Sequence, residues 1–164
     1  MKNQNINPVR FLYLSFLSFF GVGFSPKAPG TVGSLATIPL IYAMDYYHLS
    51  FATVAISTII LTFISCLVAH YAQIKENVHD PGWIVIDEVI GMLVTWLFIF
   101  PVVNLPNIIL LFVFFRFFDI VKVWPANWCD KNIKNGAGTI IDDVISGIYA
   151  GVCLFLVNFF QLTV

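Results

Sequence analysis

The sequence predicts an all-α fold, a polytopic membrane helix bundle of about four to five spans with an N-terminal interfacial or re-entrant helix. Three observations point there. Apolar residues make up 59% of the 164 and charged residues only 10%, where soluble domains run near 45–50% and about 25%. The mean hydropathy is +0.89. The apolar residues also gather in five long segments joined by polar turns. Such a composition excludes a disordered chain, a nucleic-acid binder and an ordinary water-soluble enzyme. Eight Lys+Arg against nine Asp+Glu give a net charge of −1, so no global field draws polyanions. The length suits one domain over residues 1–164.

Residues 1–10 are polar and basic, and residues 11–24 are apolar. At about 1.5 Å per residue, a helix of that length falls short of a hydrocarbon core of ~30 Å. A basic start before a short apolar run also resembles a signal peptide. Ser25-Pro26-Lys27-Ala28-Pro29 follows instead of a small-residue cleavage site, which favours an interfacial or re-entrant helix. The longer segments are 33–47, interrupted by Pro39; 51–70, the clearest span; 83–100; 106–121, opened by Pro106; and 140–160. Turns at 45–50 and 101–106 suit helical hairpins. Cys66 and Cys153 fall in apolar runs and read as small core residues, while Cys129 falls in a polar loop. No C-x-x-C occurs, and His48, His70 and His79 show no zinc spacing.

If the five segments all cross, the loops at 24–34, 71–82 and 122–139 share one side with the N-terminus. Lys2, Arg10, Lys27, Lys75, Arg116, Lys122, Lys131 and Lys134 all lie on that side or at helix ends beside it. The opposite turns carry no Lys or Arg, so the positive-inside rule puts the polar loops in the cytoplasm. The acids gather there too. Asp87, Glu88, Asp119 and Asp142 lie within or at the edge of apolar segments. An ionised Asp at mid-membrane costs at least about 2.5–3.5 kcal/mol. The plain alternative is a set of solvated helix ends.

Four constellations carry the chemistry. The first is the loop from Gly23 to Ser34, with Lys27, Gly30 and Thr31 feeding a helix; free N–H groups at a helix start favour an anion. An ordinary loop with Thr31 or Ser34 as N-cap is the alternative. The second runs from Asp80 to Gly91. Its Asp87 and Glu88 can line one cavity mouth, with Gly91 leaving room a turn below, and such hard oxygens suit Mg²⁺. Trp83 reads as an interface anchor. In the third, Arg116, Asp119 and Lys122 share a helical face, either as a salt-bridge ladder or as a phosphate clamp around a carboxylate. In the fourth, Asp142 and Asp143 open a helix, where acidic capping is the alternative, and Gly147 and Gly151 read as packing residues.

Taken in order, G-x-x-P-x-x-P-G-T-x-G-S, D-P-x-x-I-V-x-D-E-x-x-G, F-R-x-F-D-x-x-K-x-x-P and G-x-G-x-x-x-D-D-x-x-x-G resemble the phosphatidylglycerophosphatase A family over about residues 21–151. One departure is that the family usually has K-P-x-P, whereas Val123 follows Lys122 here. The resemblance implies a Mg²⁺-dependent phosphatase of the bacterial cytoplasmic (inner) membrane, multi-pass, with its active site facing the cytoplasm. It implies phosphatidylglycerophosphate as the lipid substrate and phosphatidylglycerol and phosphate as products. Asp87, Glu88, Asp142 and Asp143 are then expected to hold one or two Mg²⁺, with Asp119 a further ligand or the base for water. Lys27, Gly30, Thr31, Arg116 and Lys122 are expected to bind the phosphate. The residues of other phosphatases are missing: Cys129 starts no Cys-x5-Arg loop, and there is neither a D-x-D nor a K-x6-R-P motif. A small ion-coupled transporter is the rival reading, since membrane acids and broken helices suit it too. Clustering of the acids at one face, and the lack of an internal repeat, weigh against it. An inactive assembly subunit would not need every acidic and basic motif position kept.

Overall fold

The computed structural model describes residues 7–162; Lys2 and the rest of the first six residues lie outside them. Within the described residues the chain is all helix and turn, with no strand. Helix α1 is Pro8–Leu17, opened by Asn7, whose side chain accepts from the Val9 N–H at 3.1 Å. Helix α3 is Phe51–Glu76, and α1 runs antiparallel to its last turns. Arg10 meets Glu76 at 2.9 Å, and the Tyr13 and Tyr71 rings lie 5.9 Å apart. After Leu17 the chain reverses through left-handed Phe19, Phe20 and Gly21 and a 3-10 turn at Val22–Phe24. Gly23 is required there, because a Cβ would lie 2.0 Å from the Trp83 carbonyl oxygen. Trp83 is half-buried beside Phe24, with ring centroids 6.2 Å apart. Segment 8–28 thus starts beside Glu76 and returns beside Trp83.

Helix α2 is Pro29–Tyr46. It begins four residues before the expected start because Pro29 serves as the first helical residue after a left-handed Ala28 (φ 45°). Neither Thr31 nor Ser34 caps it; the Ser34 hydroxyl donates to the Gly30 carbonyl at 2.9 Å. Pro39 lies inside the helix. Helix α4, Ile86–Leu97, has 12 residues and is shorter than expected. At about 18 Å it is shorter than a hydrocarbon core of ~30 Å. Helix α5 is Leu105–Val121, capped by Asn104, and it ends on left-handed Lys122 (φ 47°). Helix α6, Ala126–Asn132, replaces the expected loop and buries Cys129. Helix α7, Gly136–Leu162, starts before its expected first residue.

Helix α4 sits at the centre, with α2, α3, α5 and α7 packed around it, α7 most extensively. Its Val89, Ile90, Met92, Leu93 and Trp96 are buried. Lipid tails are as apolar as leucine, so association of these helices depends on close packing more than on hydrophobic transfer. Glycines supply that closeness. A Cβ on Gly147 would come within 2.5 Å of the Gly91 carbonyl oxygen, and one on Gly151 within 2.3 Å of Phe98. Gly91 leaves no open space for a ligand: the Phe115 ring and the α7 backbone fill it. The Thr95 hydroxyl spans the same contact, 2.8 Å from the Gly91 carbonyl and 3.2 Å from that of Gly147.

The exterior is apolar. Ile59, Phe63 and Leu67 on α3, Ile109, Val113 and Phe117 on α5, and Phe155 and Phe159 on α7 are exposed. So much contiguous apolar surface marks a membrane-facing protein. Helices Phe51–Glu76 and Gly136–Phe160 are long and apolar enough to cross a bilayer; α2 and α5, with 18 and 17 residues, are shorter.

Candidate active site

Four helix ends converge on one pocket of about 310 Å³. The start of α2 brings Gly30 and Thr31, and the start of α4 brings Asp87 and Glu88. The end of α5 brings Arg116, Asp119 and Lys122; α7 brings Thr139, Asp142 and Asp143. All four sequence constellations therefore meet, and the acids are drawn into one pocket instead of being solvated helix ends. Lys27 is the exception. It is exposed and does not line the pocket, because the left-handed Ala28 turns the chain just before α2.

Asp142 and Asp143 do not cap a helix. With α7 starting at Gly136, they fall beyond its first turn, where the N-terminal N–H groups are out of reach. Both are buried, as is Asp87. Ligand oxygens of Asp87, Glu88 and Asp143 lie within 4.8 Å of one another, a group that could hold a metal ion. Close to Asp143 lie Asp119, Glu88 and Asp142. Carboxylates this close in a water-poor site repel strongly unless positive charge stands among them.

The protein supplies two such charges. Arg116 Nη1 is 2.7 Å from Asp119 Oδ2, 3.8 Å from Glu88 Oε1 and 3.4 Å from the Ser34 hydroxyl. Lys122 Nζ is 2.6 Å from Asp142 Oδ2 and 3.2 Å from Asp130 Oδ1. The expected ladder is therefore only half formed. Arg116 and Asp119 pair along α5, but Lys122 has left the helix at its left-handed cap and faces α6 and α7. Burial alone would depress the Lys122 pKa, but its bonds to Asp142 and Asp130 outweigh that and hold it above the usual lysine range. It stays cationic at neutral pH.

The donor set fits a divalent cation on its own chemistry. The three clustered groups are all hard carboxylate oxygens. Glu88 Oε2 and Asp142 Oδ1 are buried with no hydrogen-bond partner among the described residues, an expensive state for a carboxylate oxygen with nothing else to bind. Gly30 is held tight against the cluster, since a Cβ there would fall 2.0 Å from Glu88 Oε1.

Sequence reasoning gave no site role to two contributors. Asp130 stands on a helix too short for any periodic signal. Gln73, buried on α3, donates to the Thr139 hydroxyl at 2.9 Å and ties α3 to the pocket wall. In the sequence Gln73 falls in the polar stretch 71–82, where nothing separates it from its neighbours. Asp80, which opens the second constellation, also lines the pocket.

Fold and pocket together define a membrane helical bundle with a recessed, acidic, cation-braced site at one end. The chain belongs to the phosphatidylglycerophosphatase A family, whose model matches residues 15–158. It is 38% identical over 138 residues to phosphatidylglycerophosphatase A of Escherichia coli (strain K12), covering 84% of this chain and 78% of that protein. It is 34% identical over 162 residues to the Haemophilus influenzae protein of the same name, covering 98% and 95%. A Bacteroides thetaiotaomicron relative, 34% identical over 142 residues, covers 80% of this chain and 84% of itself; its name gives it, provisionally, as a phosphatidylinositol-3-phosphatase. No solved structure matches.

Proposed function

We propose that this protein hydrolyses the terminal phosphate monoester of phosphatidylglycerophosphate, giving phosphatidylglycerol and inorganic phosphate, at the cytoplasmic face of a bacterial inner membrane. The observation that carries the reading is the convergence of Asp87, Glu88 and Asp143 beside Arg116 and Lys122 in one pocket. Family membership supplies the substrate, and the apolar exterior suits an enzyme whose substrate never leaves the bilayer.

Asp87, Glu88 and Asp143 would hold Mg²⁺, with Asp119 and Asp142 at its flank. When bound, the metal neutralises phosphoryl charge and lowers the pKa of coordinated water. The remaining work falls to the chain. Arg116 presents a planar fork suited to two phosphoryl oxygens, and Lys122 a point charge on the other side. Gly30 and Thr31 contribute N–H groups that a helix start leaves without an internal partner. Lys27, out on the surface, would meet the headgroup only as it approaches. Asp119, oriented by Arg116, accepts a proton from the attacking water. The water oxygen bonds to phosphorus, the P–O bond to glycerol breaks, and the leaving alkoxide takes a proton from solvent water, to which Asp119 returns the one it accepted. Positioning and charge stabilisation supply most of the rate.

The test is purified protein with phosphatidylglycerophosphate in mixed micelles, with Mg²⁺ or with chelator. Phosphate release that needs the metal and no membrane gradient is expected. Absence of release at saturating Mg²⁺ refutes the reading and returns the transporter to consideration. Labelled phosphate trapped on acid-quenched protein would replace direct water attack with a phospho-aspartate.

A further inference from the structure

Helices α1 and α3 enclose an apolar groove of about 470 Å³ that shares no lining residue with the active-site pocket. Leu12 and Phe16 form one wall, Ile64 and Leu67 the other. From Ile64 to Tyr71 the groove follows about 10 Å of helix. It does not end blindly. Val9, Tyr13 and Tyr71 also line a second cavity of about 410 Å³, and that one is polar, bounded by Asn7, Arg10, Lys75 and Glu76. A greasy slot thus opens directly into a charged cup at the end of the bundle that carries the basic residues.

The charges in the cup are unequal. Glu76 is fully engaged: Arg10 Nε and Nη2 approach its two oxygens at 2.9 and 3.0 Å, and the Tyr13 hydroxyl donates to it as well. Lys75 has no carboxylate within ion-pair distance among the described residues. Its ammonium lies 5.5 Å from the Tyr71 ring centroid, at the seam between slot and cup. One net positive charge therefore faces the mouth of an acyl-sized groove. Two tyrosines stand at that boundary, as amphipathic rings do at the headgroup level of a membrane.

We propose that this groove and cup form a binding site for one anionic phospholipid, distinct from the active-site pocket, with an acyl chain against Leu12, Phe16 and Leu67 and its phosphate at Lys75. A zwitterionic lipid would fill the slot equally well but would leave its own cation facing Lys75, so the cup selects for net negative charge. The site needs only that the chain sits in a bilayer and does not depend on the phosphatase reading.

The experiment is native mass spectrometry of the full chain released from detergent after exposure to dioleoylphosphatidylserine or dioleoylphosphatidylcholine, two lipids with the same chains. Glycerophosphoserine, without chains, is the third probe. Wild type should retain one phosphatidylserine in preference to phosphatidylcholine and no glycerophosphoserine. Lys75→Gln should lower that preference about fivefold, the worth of one charge near a surface, and Lys75→Arg should restore it. Leu12→Trp, which fills the slot, should cut retention of both lipids. Phosphate release should be unchanged in all three variants, which separates loss of this site from loss of the active site. Equal retention of the two lipids by wild type overturns the proposal, as does a preference that survives Lys75→Gln: an anionic lipid lodged in the active-site pocket would be indifferent to that change.

Discussion

Gly30→Ala adds one carbon atom at the tightest point of the candidate site. The new Cβ would sit 2.0 Å from Glu88 Oε1, 3.0 Å from its carboxyl carbon and 3.3 Å from Arg116 Nη1. Ordinary contact begins near 3.4 Å, so the Glu88 carboxylate has to retreat by about 1.4 Å. Retreat is possible because the obstacle is the end of a flexible side chain, not backbone. Helix propensity favours Ala over Gly by up to about 1 kcal/mol, so the fold loses little. Chemistry responds differently. Moving a catalytic group by about 1 Å costs on the order of 100-fold in rate, and here Glu88 also disturbs its contact with Arg116. The expected outcome is about a 100-fold fall in phosphate release from phosphatidylglycerophosphate, with a thermal midpoint close to that of wild type. Gly82→Ala is the control: it lines the same pocket, but a Cβ there meets nothing within 4 Å. Activity of Gly30→Ala within about threefold of wild type, alongside an active Gly82→Ala, would refute the placement of Glu88 in the reaction.

Two further variants probe the acids and their cations. Asp143→Asn removes one charge from the buried trio, so it should abolish turnover and the rise in thermal midpoint that Mg²⁺ gives wild type, while leaving the metal-free protein at least as stable; a full Mg²⁺ response in the variant contradicts the assignment. Lys122→Met strands Asp142 without its partner and should cost roughly 1–3 kcal/mol of stability along with most of the activity, whereas Asp130→Asn leaves the 2.6 Å bond to Asp142 intact and should raise KM with little change in kcat. Equal damage from the two would show that α6 does more than hold Lys122.

The candidate site was legible because charge is scarce in this chain. When nearly every acid falls beside an apolar segment, Asp87, Glu88, Asp119 and Asp142 stand out, and the family resemblance then groups them with Asp143, Arg116 and Lys122. Helix starts were less visible. Pro29-Gly30-Thr31 and Gly136-Ala137-Gly138 have loop composition, yet both lie inside helices, because proline suits a first turn and the glycines are imposed by contact. Gly136 shows this plainly: a Cβ there would lie 2.1 Å from the His70 nitrogen, so close packing on α3 dictated a residue that local propensity counts against. The same misplacement left acidic capping open as an explanation for Asp142 and Asp143, and it vanished once the helix gained another turn. Lys27 was expected among the phosphate-binding groups but stands outside the pocket, because sequence distance carries no sign for the direction a left-handed residue turns the chain.

The charge of the pocket itself restricts what can happen there. Asp80, Asp87, Glu88, Asp119, Asp142 and Asp143 line it against Arg116 and Lys122, six carboxylates to two cations, a net −4 when all are ionised. A phosphate monoester approaches as an anion of up to about two charges. Arg116 and Lys122 cannot invert the field by themselves, since each is already bound to a carboxylate at 2.7 and 2.6 Å. Electrostatics alone therefore makes the metal-free pocket hostile to its proposed substrate. The two cations are better understood as groups held ready by Asp119, Asp142 and Asp130 and shared with phosphate once divalent charge has offset the trio. That ordering makes apparent substrate affinity, and not the turnover number alone, depend on Mg²⁺. A KM for phosphatidylglycerophosphate that stays constant while Mg²⁺ is varied below saturation would contradict it.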